Sequence, residues 1–373
     1  MAESDGLERQ AENHVRWAME MQRRPELNAS SSPYASVNNP QWFEATREPK
    51  LDRARFHRQL IEDLIEATPN AGQEKRAVVL AGPPGAGKSR IMQDDTYHSG
   101  IPGYDPDRYI SIDADYFKER ILTRAANDGS LHRDLKPDFI HDLEADGEVF
   151  SPLEFASLVH EESSMLAKAV RERCIREGYN IVIDTVLSSE TSAHAIGDLL
   201  QAKGYSVSVI DVEIPAQVSK EAVAHRWRSG YIGMLKGEPA QALGGRWVPS
   251  EYVDNVFRGG QSQPRANAAL LAKQYQNVKT FQVYERESAT AQPALVTSKH
   301  REQIGAALVD VTRATPAGAR REVDAQAAQA MVQAAKNKGR SVNPLTAGEP
   351  RLTPATRPQT PHRQNSSDRG HER

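Results

Sequence analysis

Apolar positions along the chain follow two spacings. Leu51, Phe56, Leu60, Ile61, Leu64 and Ile65 recur at helical intervals, which predicts a helix laying one face on a core. An unbroken apolar run follows at 76–81, RAVVLA, whose adjacent valines suit a strand buried on both faces. Similar runs at 109–113 (YISID), 179–186 (YNIVIDTV) and 205–214 (YSVSVIDVEI) predict the second to fourth strands, and 278–286 (VKTFQVYER) a fifth, with helical stretches between most of them. Parallel strands joined by helices make a doubly wound, mostly parallel α/β sheet.

The flanks have a different texture. Residues 1–48 hold a charged helical pattern at 7–23 and then the turn-forming stretch NASSSP, so they read as a partly flexible appendage to a domain spanning 49–295. Residues 296–338 carry two helical patterns, at 301–313 and 317–338, and predict a helical extension. Residues 339–373 are rich in Pro, Thr, Ser, Arg and Gln with almost no large apolar side chains; they bury too little surface to offset ordering entropy and read as a disordered tail.

Composition narrows the function classes. With 373 residues, 38% hydrophobic and 26% charged, the chain can bury a sizeable core. Its net charge of −3 gives no global pull toward nucleic acid or an anionic membrane, so a nucleic-acid partner is not expected. Cys174 is the single cysteine, which excludes an intramolecular disulfide or a multi-thiolate metal site. No signal-peptide pattern appears, and no apolar run approaches the roughly 18 residues that span a bilayer. These features lead us to expect a cytoplasmic protein.

The candidate chemistry begins directly after the first strand. Gly82, Pro83, Pro84, Gly85, Ala86, Gly87, Lys88 and Ser89 fit G-x-x-x-x-G-K-[ST], a loop whose backbone N–H groups wrap phosphate oxygens. Lys88 is expected to reach the β- and γ-phosphates, and Ser89 to hold Mg²⁺ through its hydroxyl. Asp113 and Asp115 stand two apart at the end of the second strand, which puts both carboxylates on one face. Two readings stay open for Asp115: a base accepting a proton from an attacking hydroxyl, or only the N-cap of the helix beginning at Tyr116. Asp184 ends the third strand at the same ligand-binding edge of the sheet.

Further along, HEESS at 160–164 lacks the second histidine of a zinc-protease helix, because Ser164 stands there; His160, Glu161 and Glu162 are open to a capping or a ligand role. Arg226 and Arg228 lie in a helical stretch, and Arg246 in the loop GGRWVP. Lone arginines are usually solvated, but phosphoryl transfer needs cations over its spreading charge.

Taken together, these residues resemble the zeta toxins, the kinase partners of epsilon–zeta toxin–antitoxin pairs, over roughly residues 50–290. IDADYFK is similar to the family's I-D-x-D-x-F-K signature, and the resemblance makes Asp115 the catalytic base. EGYNIVID resembles the strand that ends in an acidic substrate-binding residue, here Asp184. LLQAKGY matches the following helix exit. The resemblance carries the two phosphate-gripping arginines onto Arg226 and Arg246, and the sugar-contacting glutamate of VHEES onto Glu162. Asp113, beside Asp115 at the strand end, is expected to contact the substrate, and one carboxylate of the pair to assist Mg²⁺. The resemblance implies a kinase using ATP and Mg²⁺ to phosphorylate the 3′-hydroxyl of the amino sugar of UDP-N-acetylglucosamine or a related sugar nucleotide, with an epsilon-type antitoxin as partner. Two other readings stand beside it: a kinase acting on another hydroxyl, of a nucleotide, an antibiotic or a nucleic-acid end, and an ATP-binding interaction or effector protein without transfer.

Overall fold

The computed structural model describes residues 2–27 and 31–311. In chain order the helices and strands are α1 (Ala2–Arg23), α2 (Leu51–Glu66), β1 (Arg76–Ala81), α3 (Lys88–Gln93), β2 (Ile110–Ile112), α4 (Ala114–Asn127), α5 (Asp138–Ala145), α6 (His160–Glu177), β3 (Ile181–Asp184), α7 (Glu190–Ala202), β4 (Ser206–Glu213), α8 (Ala216–Leu235), α9 (Ser250–Val256), α10 (Gln263–Gln274), β5 (Val278–Glu285), β6 (Ala294–His300) and β7 (Val309–Asp310). The strands form one sheet in the order β2-β3-β1-β4-β5-β6-β7. Every pairing from β2 across to β5 is parallel, and β6 and β7 join antiparallel at one edge.

The buried strands explain the unbroken apolar runs. Along β1, Ala77, Val79 and Ala81 enter one core while Val78 and Leu80 enter another on the opposite side of the sheet, so beyond Arg76 at its start no position is left for a polar residue. Helices α4, α6, α7 and α10 contribute Phe117, Leu166, Ile196 and Leu271 to the first core. Ile91 of α3 packs into the second. The carboxyl ends of β1, β2 and β3 come out at a common edge, where a doubly wound sheet binds its ligands.

Both flanks differ from their sequence reading. Residues 301–311, expected as a helix, form a turn and the short strand β7 paired to β6. β6 (ALVTSKH) hydrogen-bonds along one edge to β5 and along the other to β7, and this pairing across the sheet, which local helical spacing does not register, makes the segment a strand. The second expected helix at 317–338 and the tail at 339–373 lie outside the described residues.

At the other end α1 is docked on α8, where Ala11 and Ala18 pack with Trp227, Tyr231 and Ile232. His14 is buried in that contact, 3.2 Å from Glu148 and 3.0 Å from Glu154, with its ring stacked on Tyr231. Burial alone would pull its pKa down, but the hydrogen bonds and charges of Glu154 and Glu148 prevail and raise it. The positively charged form is therefore held between two carboxylates.

Candidate active site

The phosphate loop is shaped by close backbone contacts. Gly82, Gly85 and Gly87 all have positive φ, at 142°, 75° and 90°. A Cβ on Gly82 would stand 2.2 Å from the carbonyl oxygen of Val212 on β4, so the loop can leave the sheet there only through glycine. Arg286, at the end of β5, donates from Nη1 to the Ala86 carbonyl at 2.9 Å, and Ser219 of α8 donates to the Pro84 carbonyl at 2.7 Å. Inside this frame Lys88 Nζ donates to the Gly82 carbonyl at 3.2 Å and lies 3.8 Å from Asp184 Oδ1. Ser89 is exposed toward the adjoining cavity.

Of the two roles left open for Asp115, the capping one falls to its neighbour Asp113. Asp113 Oδ1 accepts from the Asp115 N–H at 2.9 Å and is the N-cap of α4, which leaves the Asp115 carboxylate free of capping. Asp115 is instead gripped by two cations: Arg246 Nη1 donates to both of its oxygens, and Lys118 Nζ donates to Oδ1 at 2.9 Å. Burial would raise its carboxyl, but the charges of Arg246 and Lys118, with Arg226 nearby, hold it far below the usual carboxylate range. The neighbours move the opposite way. Burial, with the charges of Asp115 and Asp184, pushes Asp113 up to about 6, and burial likewise raises Asp184.

A cavity of about 880 Å³ joins these parts, with Gly85, Gly87, Lys88, Ser89, Asp113, Asp115, Asp184, Arg226 and Arg246 on its walls. His160 and Tyr252 complete it. A second cavity of about 670 Å³ meets the first at Asp115, Lys118, Arg226 and Arg246, and its further walls include Glu119, Asn127 and Gln241. Arg228 points elsewhere, pairing with Glu8 and Glu12 of α1.

Glu162 is not in the site, which corrects the substrate-contact expectation. It is completely buried on α6, facing α2, where Arg53 donates to both of its oxygens at 2.5 and 2.7 Å and His57 Nε2 lies 2.6 Å from Oε1. Burial would raise its carboxyl, yet the His57 hydrogen bond and the Arg53 charge hold it at about 2. Replacing Glu162 with alanine strands Arg53 in the interior and is expected to cost about 3–5 kcal/mol in denaturant unfolding, leaving the turnover of folded protein unchanged. The sign with pH follows from the lowered carboxyl: the contribution is full above about 4.5 and is lost as pH falls toward about 2.

Two residues of the site escaped sequence reasoning. Lys118, only 3% exposed, stands three residues after Asp115, so helical spacing from the aspartate would have found it. Arg286 closes the fifth strand, and no local spacing ties it to a loop 200 positions earlier.

The zeta toxin family profile matches residues 60–292, well over half of the chain. Among curated proteins none matches the sequence significantly. Solved structures to which the chain is similar include the AvrRxo1-ORF1:AvrRxo1-ORF2 complex with sulphate ions, at 17% identity and a TM-score of 0.46 over 70% of each chain. The same complex with ATP gives 18% identity and a TM-score of 0.43, over 66% of this chain and 67% of that one. The PezAT toxin–antitoxin system of Streptococcus pneumoniae gives 17% and 0.41, over 66% of this chain and 81% of that one. Among the described residues no helix is long and apolar enough to cross a membrane. With its phosphate loop, parallel sheet and matched segment, the chain belongs to the zeta toxin family and has that family's kinase-type fold.

Proposed function

We propose that the chain transfers the γ-phosphoryl group of ATP to the 3′-hydroxyl of the amino sugar of UDP-N-acetylglucosamine or a related sugar nucleotide, and that an epsilon-type antitoxin restrains it. The observation that carries this reading is Asp115, which Asp113 relieves of capping and which shares one cavity with Lys88 and Ser89. Kinase chemistry of this kind is mostly positioning and charge neutralisation, and the cavity walls offer both. Lys88, Arg226 and Arg246 stand ready to steady phosphoryl oxygens, and Asp115 to accept the proton of the attacking hydroxyl.

The fit for a divalent cation lies in the crowding of Asp113, Asp115 and Asp184, whose mutual repulsion adds to the raised carboxyl of Asp113. Ser89, with these carboxylates nearby, would hold Mg²⁺, which would supply charge neutralisation to the nucleotide phosphates. Asp115 is a weak base while Arg246 and Lys118 hold it. An arriving phosphate that draws Arg246 away returns basicity to Asp115 at the moment the hydroxyl needs it.

Phosphorus NMR of the protein with ATP, Mg²⁺ and UDP-N-acetylglucosamine tests the proposal. The expected result is a new phosphomonoester signal on the sugar nucleotide. Consumption of ATP without that signal assigns the transfer to another hydroxyl compound, and failure to bind or consume ATP overturns the kinase reading.

A further inference from the structure

The segment after α4 carries a side-chain cluster that the kinase site does not use. Residues Leu131–Leu135 form a single π-helical turn, closed by the Lys136 N–H on the Leu131 carbonyl at 3.0 Å, and α5 follows. Such wide turns are rare and often mark functional positions. Leu131, Leu135 and Ile140 are buried in the main core, so the backbone holding the intervening polar residues is fixed.

On the outside of this fixed segment stand His132, His141 and Glu144, each with a ligand-capable atom within 4.8 Å of the others. The two imidazole rings meet edge to face, with centroids 4.2 Å apart. Glu144 Oε2 lies 3.8 Å from His132 Nδ1 and 4.0 Å from His141 Nδ1, too far for a hydrogen bond to either. Its other oxygen is taken by Lys136, which leaves Oε2 turned toward the rings. His141 Nδ1 is shielded from solvent and has no hydrogen-bond partner among the described residues, an arrangement that costs free energy unless something occupies the gap.

We propose that His132, His141 and Glu144 bind a divalent transition-metal ion of the zinc class. Two imidazoles and one carboxylate form a zinc ligand set that leaves one position for water. At bond lengths of about 2.0–2.2 Å on a tetrahedral centre, ligand atoms stand about 3.4 Å apart, so the two carboxylate–imidazole separations need to close by roughly half an ångström and the imidazole–imidazole separation, within 4.8 Å, by at most about 1.4 Å. His132 can supply that movement, because its side chain is 70% exposed. The bound ion would tie the π turn to α5, outside the kinase cavity, whose walls include none of the three ligands.

Cobalt(II) titration of the untagged full chain, stripped beforehand with a chelator, tests the site. One Co²⁺ per chain, with an intense visible spectrum of tetrahedral type that Zn²⁺ abolishes, is the expected result. His132→Ala, at an exposed position that leaves folding intact, should weaken binding by at least the roughly 10- to 100-fold that loss of a mere supporting partner costs, and His141→Ala similarly. ATP binding should be unchanged in His132→Ala. Absence of saturable uptake overturns the proposal, as does undiminished uptake in both histidine variants, which would put the ion elsewhere.

Discussion

Asp115→Asn should lower phosphoryl transfer by about 10²- to 10⁴-fold, the range that a positioned general base contributes, while leaving ATP affinity unchanged. The asparagine keeps the shape of the side chain and can still accept from Lys118, which is otherwise buried beside it. It cannot take the proton of an attacking hydroxyl. Turnover measured next to nucleotide binding separates the two effects. A variant that still transfers phosphate at the native rate would reduce Asp115 to an anchor for Arg246 and Lys118 and remove the base from the mechanism.

Arg246→Ala should cost about 10³- to 10⁵-fold in kcat, the range associated with an arginine placed over a transferring phosphoryl group. The loop that carries Arg246 is held tightly: a Cβ on Gly245 would stand 2.0 Å from the Trp227 carbonyl of α8, and Gly244 takes a φ of 76° against Ser151. Arg246→Lys should recover little, because an ammonium cannot offer the planar fork that contacts two oxygens at once. A second readout separates phosphate grip from simple misfolding. Removing the guanidinium relieves Asp115 of its largest opposing charge, so the Asp115 carboxyl must rise toward ordinary values. The acid limb of the kcat/KM profile should accordingly move to higher pH in Arg246→Ala, and a limb that stays in place would deny the coupling between the two residues.

The central sheet was legible because buried parallel strands leave so distinct a trace. The predicted run at 76–81 coincides with β1, and those at 109–113, 179–186, 205–214 and 278–286 enclose β2 to β5 within two residues at each end. The phosphate loop and the Asp113–Asp115 pair were legible for a related reason, since local backbone geometry dictates both spacings. Local spacing could not say which aspartate would cap α4, because either side chain suits the position and the choice depends on where Arg246 and Lys118 arrive from. Glu162 was misplaced because a glutamate in the first turn of a helix looks alike whether it faces a cavity or a partner helix; only the packing of α2 over α6 shows that Arg53 and His57 take its oxygens. The docking of α1 was hidden in the same way, for His14 meets Glu148 and Glu154 across more than 130 positions.

The carboxylate of Glu162 has a bearing on what can be inherited as a unit. Its three hydrogen bonds come from Arg53 and His57, both upstream of residue 60, where the family match begins. The family-matched stretch is therefore not self-sufficient in this protein. A chain cut back to residues 60–292 would carry an anion locked in its interior with no counter-charge, and would also leave the Trp227 and Tyr231 face of α8 bare where α1 now lies. Recombination or engineering that exchanges this kinase between proteins must move the two leading helices with it.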